Sequence, residues 1–537
     1  MAYPILAAHC TWFTQGGTTV KRASITQINI VDSYAPTGSE AASWDASASK
    51  NGSIMCYVTG TVLTLAGNGS GKISANADSK FAFSDNKAKD LFLNVTTING
   101  LANLDMSGVV ETNAMFYSCK ALTSVAGIEN WDMSNCTTLR QTFRQCDSLL
   151  EVNADSWNTS AVTSISGMFL SCYAIQRVGC RNWDLSNCTD MDTAFSNCYA
   201  LSDIDVSLWD TSACAKMSGM FTACRTLKTL DVGKWDTSKV TTMRGMFKCG
   251  SDYGNEPTVY EELDVSRWDT SSCEDMAFMF YGAKGLGEVG NGNGVDLSRW
   301  DVSKVKDFDH FMAHSYMTIG DISGWKNAVV ENLDNAFHSC RNAVLDVRGL
   351  KTSNCKTFGG MFKQYGSNLV SIPGVEDFDT SSAVDFTHMF YGCDKIEDLD
   401  LSGYDFRLAK DGVVTSGNDS TSATCMEMFY GMTRLKKISF GENFRRNGDG
   451  STTNASHYVV LPGEGDWYDV DGIVDKTALP DGAGTYYASQ AVANAEAAKP
   501  MLITQGTLLR TAKAIREKGG TMKQYSPSEF ATAIQTI

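Results

Sequence analysis

Residues 234–247 read KWDTSKVTTMRGMF, with Trp-Asp-Thr-Ser at the head and a Phe twelve residues past the Trp. Residues 208–221, LWDTSACAKMSGMF, repeat that frame with different small residues between the same aromatics. Extended along the chain, the Trp positions are 131, 157, 183, 209, 235, 268, 300 and 325, and the first four steps are each 26 residues. Leu104 precedes this column, and Leu350, Phe378 and Tyr404 continue it, which predicts about twelve turns. A second column runs through Phe116, Phe143, Phe169, Phe195, Phe221, Phe247 and Phe280, then Phe337, Phe362, Phe390 and Phe429. One turn reverses the order of its pair, Phe311-Met312.

The arm from Trp to Phe keeps its length in nearly every turn, apart from one long insertion at 409–422. The return arm stretches at 250–258 and 286–294, where Gly, Asn and Pro are added. Constant length is expected of packed geometry and variable length of solvent-facing chain, so the repeats form a solenoid rather than independent beads. TLKTLDV (226–232) alternates apolar and polar residues, as a short strand does. Val240, Met243, Met246 and Phe247 lie at helical spacing, which predicts one or two helical turns with the preceding Thr or Ser as N-cap. The Asp of WDTS is placed to form an Asx-turn. Turns stacked about 4.8 Å apart would give a rod of roughly 55 Å, with each Trp over the one below. A propeller is excluded, because its blades need about 40–45 residues.

The register of WDTSACAKMSGMFTACRTLKTLDVGKWDTSKVTTMRGMFKC (209–249) resembles the BspA-type leucine-rich repeat, also found in mycoplasma surface lipoproteins. The resemblance implies a parallel-stranded α/β repeat solenoid, used in adhesion and recognition without enzymatic activity. Four regions are expected: a β-rich domain and cap at 1–92, the solenoid at 93–440, a C-terminal cap at 441–489, and a linker with a helical tail at 490–537. In the cap, Trp467, Tyr468, Tyr486 and Tyr487 are read as sealing the last turn. In the tail, QAVANAEAAK is read as a linker. TLLRTAKAIREKGG and SPSEFATAIQTI are read as two short amphipathic helices, the second opened by a capping box from Ser526 to Glu529. Such helices must dock on something, so the tail is expected to attach or oligomerise the protein. It resembles C-terminal modules of tail and fibre proteins of phages infecting Gram-positive bacteria.

The chemistry-bearing residues point away from catalysis. Cysteines recur three residues after the Phe and five after the Trp, and Val occupies the second slot in other turns, so they read as reduced core thiols. Paired CxxC motifs that would hold zinc are missing. His310 and His314 are four apart in DHFMAHS, but HExxH requires Glu after the first His, so they read as exposed helix-face residues. No catalytic residue, cofactor or metal site is expected. A net charge of −16 argues against nucleic acid as a partner. No apolar run of about 18 residues is present, so membrane insertion is not expected. MAYPILAAHCTWF lacks the basic start of a secretory signal, which suggests synthesis in the cytoplasm.

The expected function is a non-enzymatic virion protein, a tail or fibre component contacting the host surface and released by lysis. The alternative is a BspA-type adhesin on the bacterial cell surface. Candidate receptor residues are Tyr253, Asn255, Tyr260, Asn291 and Asn293 in the two insertions, with Lys234, Arg267 and Arg299 as a short basic stripe. The partner would be a host polysaccharide or protein. The stripe suits an anionic wall polymer, or alternatively neutralises Asp264 and Asp296. The insertions are either recognition loops or tolerated drift.

Overall fold

The computed structural model describes residues 3–14, 20–85, 90–249, 260–283, 295–315, 318–320, 322–327, 329–364, 368–409, 425–446, 459–463, 465–469 and 471–497. The chain is a parallel repeat solenoid. On one side, Glu151–Asn153, Arg177–Gly179 and Asp203–Ile204 form a parallel sheet, and Thr229–Leu230 pairs in parallel with Glu262–Leu263. Elsewhere in each turn a second ladder of single parallel bridges runs Glu111, Thr138, Ser164, Asp190, Lys216, Thr242, Asp275, Asp307, Asn332, Thr357, Asp385. Two pairing points per turn fix both its height and its rotation on the turn below.

Between these points lies one core built from repeated side chains. Successive Trp rings from Trp131 to Trp300 stack with centroids 5.9–6.4 Å apart and planes within 13° of parallel. That is offset stacking, which the ring quadrupole prefers to a face-to-face sandwich. The indole Nε1 of Trp157, Trp183 and Trp209 donates to the carbonyls of Ile128, Ala154 and Cys180 at 2.8 Å, one turn back each time. Phe83 to Phe280 form a second stack with neighbours 5.1–6.2 Å apart. At the reversed pair, Phe280 N bonds Phe311 O as Phe247 N bonds Met279 O, so Phe311 occupies the Met slot and meets Phe280 edge-on at 79°.

The segment ending in Met-Phe is not helical. Met243, Gly245 and Phe247 donate their N–H to Asp275, Ala277 and Met279 of the next turn. Met246 and Lys248 close back on Met243 and Gly245 within their own turn. The reason is conformational: the residue two before the Phe is left-handed in turn after turn, Ala114, Gln141, Gly167, Thr193, Gly219, Gly245 and Phe278 among them. A left-handed residue ends an α-helix, and the alternation sends every second N–H outward to the neighbouring turn. Met243, Met246 and Phe247 still point inward, fully buried.

WDTS also works differently from a helix cap. The Asp does form the Asx-turn, accepting from the Ser N–H at 3.0 Å in Asp210–Ser212 and Asp236–Ser238. The Thr is buried and its hydroxyl donates across the turns: Thr211 to Asp236 O at 2.9 Å, Thr237 to Asp269 O at 2.8 Å, Thr270 to Asp301 O at 2.9 Å. It bolts one turn to the next rather than starting a helix.

At the N-terminal end, β1 (Gln27–Val31) lies between the parallel strand Thr97–Asn99 and β4 (Val62–Ala66). The latter continues antiparallel through β3 (Met55–Thr59) to β2 (Ala42–Asp45). At the other end, Lys437–Phe440 pairs in parallel with Asp398–Leu401 but antiparallel with Gly484–Tyr487, which also meets Trp467–Tyr468. Trp467, Tyr486 and Tyr487 are buried there, with Tyr486 6.1 Å from Phe440. Gln490–Ala497, read from sequence as linker, is an α-helix whose Ala493 is fully buried. Small Ala side chains favour a helix and allow close packing on the cap. The two helices expected beyond it lie outside the described residues.

Trp209→Ala is expected to cost about 3–5 kcal/mol in urea unfolding, through lost packing and a vacated slot in the stack. Thr211→Val keeps the volume and loses one inter-turn hydrogen bond, so it should cost about 1 kcal/mol.

Candidate functional site

Tyr253, Asn255, Asn291 and Asn293 lie outside the described residues. Tyr260 does not belong to an exposed recognition loop: it is fully buried, its ring edge-on to Phe247 at 5.9 Å. The pairing of Thr229 with Glu262 puts Tyr260 level with Leu227, the apolar position eight before the column Trp. Counting eight back from Trp268 was the available signal. Burial pushes its hydroxyl well above the ordinary range.

Lys234, Arg267 and Arg299 each sit one residue before a column Trp, and all three are exposed. The ring steps Trp235–Trp268 and Trp268–Trp300, 6.3 and 6.4 Å at 3°, keep these positions in successive turns despite the added residues between them. Among the described residues none of the three makes a side-chain hydrogen bond or ion pair. Asp264 and Asp296 spend their oxygens locally instead, on the N–H groups of Ser266 and Ser298, each at 3.0 Å. Asp264 is held below the usual carboxylate range chiefly by the Ser266 hydroxyl, with Arg267 a smaller cause. Leu208 occupies the same position one turn earlier and is 56% exposed.

The histidines are not on an exposed helix face. His310 and His314 both have left-handed backbone (φ 52° and 57°) in the non-helical arc, and both are half-buried. His310 stacks on Phe278 at 4.8 Å and 5°, and His314 lies 4.4 Å from His338, which is buried. Burial holds His338 well below the ordinary imidazole value. Beside His310, Asp309 and Asp334 are 2% and 6% exposed. One ligand atom from each of Asp309, His310 and Asp334 lies within 4.8 Å of the other two. His310 Nδ1 is 2.5 Å from Asp309 Oδ1. Sequence reading missed this cluster because the two aspartates are 25 positions apart and meet only when turns stack.

Three overlapping matches, residues 86–203, 172–284 and 254–374, join the chain to the family described as "Mycoplasma protein of unknown function, DUF285". Together they span more than half of the chain. The chain belongs to this family. The BspA-type resemblance seen in the repeat is thereby supported, and the DUF285 description itself assigns no activity. No curated protein matches the chain. Among solved structures, a leucine-rich repeat protein from Bacteroides ovatus is similar at 14% identity, over 55% of this chain and 82% of that one, with a TM-score of 0.21. A TLR13–ssRNA13 complex is similar at 13% identity, over 68% and 43%, with a TM-score of 0.17. At these scores neither likeness carries an argument, and the solenoid stands on the stacking and pairing described above. Among the described residues of this DUF285 protein, no helix is long and apolar enough to cross a membrane.

All 17 cysteines are buried and none forms a disulfide, as the exchange of Cys with Val predicts. The thiols of Cys146, Cys172, Cys198 and Cys224 donate to the carbonyl of the Phe one turn back at 3.0–3.2 Å. Burial raises Cys136 to about 11 and Cys119, Cys188 and Cys214 to about 12, from an ordinary 9.0. Folded thiols thus stay protonated where unfolded ones ionise. Their contribution is intact below the unfolded value and is lost as pH rises toward the folded one, at about 1.4 kcal/mol per pH unit for each thiol. The melting temperature should therefore fall steeply above pH 9, and Cys214→Val should reduce that slope. Iodoacetamide should label the thiols slowly when folded and rapidly in guanidinium.

Proposed function

We propose that this chain is a non-enzymatic recognition protein, a rigid solenoid of about twelve turns on a 26-residue period that presents side chains to a bacterial surface. The observation that carries this reading is the exposed stripe Lys234, Arg267, Arg299 on a chain of net charge −16. Its carboxylate neighbours each give one oxygen to an Asx-turn, and among the described residues none of the three cations is in an ion pair, so the stripe is open to an anionic partner. Consecutive turns fix the spacing of the three cations, which suits a repeating anionic wall polymer better than a single small anion.

The finer assignment is to a phage tail or fibre component, carried in the virion and contacting a Gram-positive host. It rests on the resemblance of residues 490–537 to phage tail modules, through which the chain would join other virion proteins or a second copy of itself. A cell-surface adhesin of the BspA type is the second reading, and the repeat itself favours it equally. Immunogold labelling of purified particles separates the two, since virion labelling is expected only for the first.

The recognition claim is tested with the full chain and purified wall teichoic acid. Binding should weaken with added salt and fall at least about tenfold in Lys234→Glu/Arg267→Glu/Arg299→Glu, with circular dichroism unchanged. Equal binding by the folded triple variant would remove the stripe from the function.

A further inference from the structure

We propose that Asp309, His310 and Asp334 bind a divalent transition-metal ion, best matched by zinc, which fastens two successive turns of the solenoid.

The argument begins with how this edge of the repeat handles its acids. Asp190 is paired with Arg140 at 2.8 Å, and Arg244 serves both Asp275 at 3.5 Å and Asp307 at 3.1 Å. At the position three before the Phe column, register places Asp334 in the turn after Asp309, and both are more than nine-tenths buried. Among the described residues neither has a Lys or Arg within ion-pair distance. Two carboxylates stacked this way disfavour joint ionisation, and burial raises both, Asp334 strongly, with Asp309 and Asp385 adding to it. The next residue in the same column is Gly359, and a Cβ there would meet Asp334 Oδ1 at 2.4 Å, so the missing side chain leaves that carboxylate its place.

The donor set then selects the ion. One imidazole and two carboxylates are ligands that zinc accepts at about 2.0–2.2 Å, and atoms within 4.8 Å of one another can close on such a centre with small rotations. Calcium and magnesium take oxygen ligands, in larger number for calcium, and gain little from imidazole. His310 is held by its stack on Phe278 and by its N–H bond to Asp334 O at 2.7 Å, so the ligands from the two turns are already joined through the backbone.

The full chain, stripped with EDTA and dialysed, is titrated with zinc chloride by calorimetry, with bound metal counted by mass spectrometry. One zinc per chain is expected, with a rise in melting temperature. Asp334→Asn and His310→Asn should each weaken binding at least about tenfold. Cobalt in the unaltered chain gives a reading that needs no variant: weak visible bands of a nitrogen–oxygen site, without intense near-ultraviolet thiolate absorption. Substoichiometric zinc, thiolate bands with cobalt, or undiminished binding by both folded variants would overturn the assignment.

Discussion

Register between successive turns is the constraint on which the rest of the molecule depends. Each column Trp from Trp131 to Trp300 both stacks on a neighbouring Trp and donates its indole N–H to a carbonyl of the turn below. A shift of one residue would break both interactions at once and leave a buried N–H without an acceptor, which costs more than a single hydrogen bond contributes. The Thr hydroxyls and the alternating amides of the Met-Phe arc repeat the same requirement at other heights around the turn. Stability in such an array is a sum over neighbouring turns, so each turn has to match only the two beside it.

That locality explains where variation is tolerated. The step from Trp235 to Trp268 spans seven more residues than the step before it, yet ring spacing and tilt hardly change. In sequence the added residues fall after the Phe arc and before the strand, where no column position is interrupted. Tyr260 marks the return, already at a core position. The left-handed residues carry a cost of about 1–2 kcal/mol each where they are not glycine. Inter-turn amide bonds on either side of them offset it, which is why Gln141, Thr193 and Phe278 are accepted beside Gly167, Gly219 and Gly245.

Much of this was legible in sequence because the columns are one-dimensional facts. Trp and Phe at constant separation, Cys exchanging with Val, and Asp two before Ser each translated directly into a stack, a core slot and an Asx-turn. The Met-Phe arc was misread as helix because its apolar spacing of three and four is shared by both conformations. The recurring Gly two before Phe was the distinguishing mark. Thr211 and Thr237 looked like caps for the same reason, since nothing local shows that a hydroxyl points to the next turn. The Asp309–His310–Asp334 cluster, among the described residues the one candidate centre with ligand chemistry, was invisible for a deeper reason: its members converge only through stacking. Lys234, Arg267 and Arg299 were legible because the column Trp beside each fixes where it sits.

Hydrogen exchange at the indole Nε1–H groups, read by nitrogen-15 NMR, tests the register claim most directly. Donated to buried carbonyls, the column indoles Trp157, Trp183, Trp209 and Trp235 should exchange only through opening of the solenoid, with protection falling together as urea is added. Rapid exchange of these indoles in the folded chain, or protection lost one ring at a time without change in its neighbours, would contradict a core held by stacked turns in register.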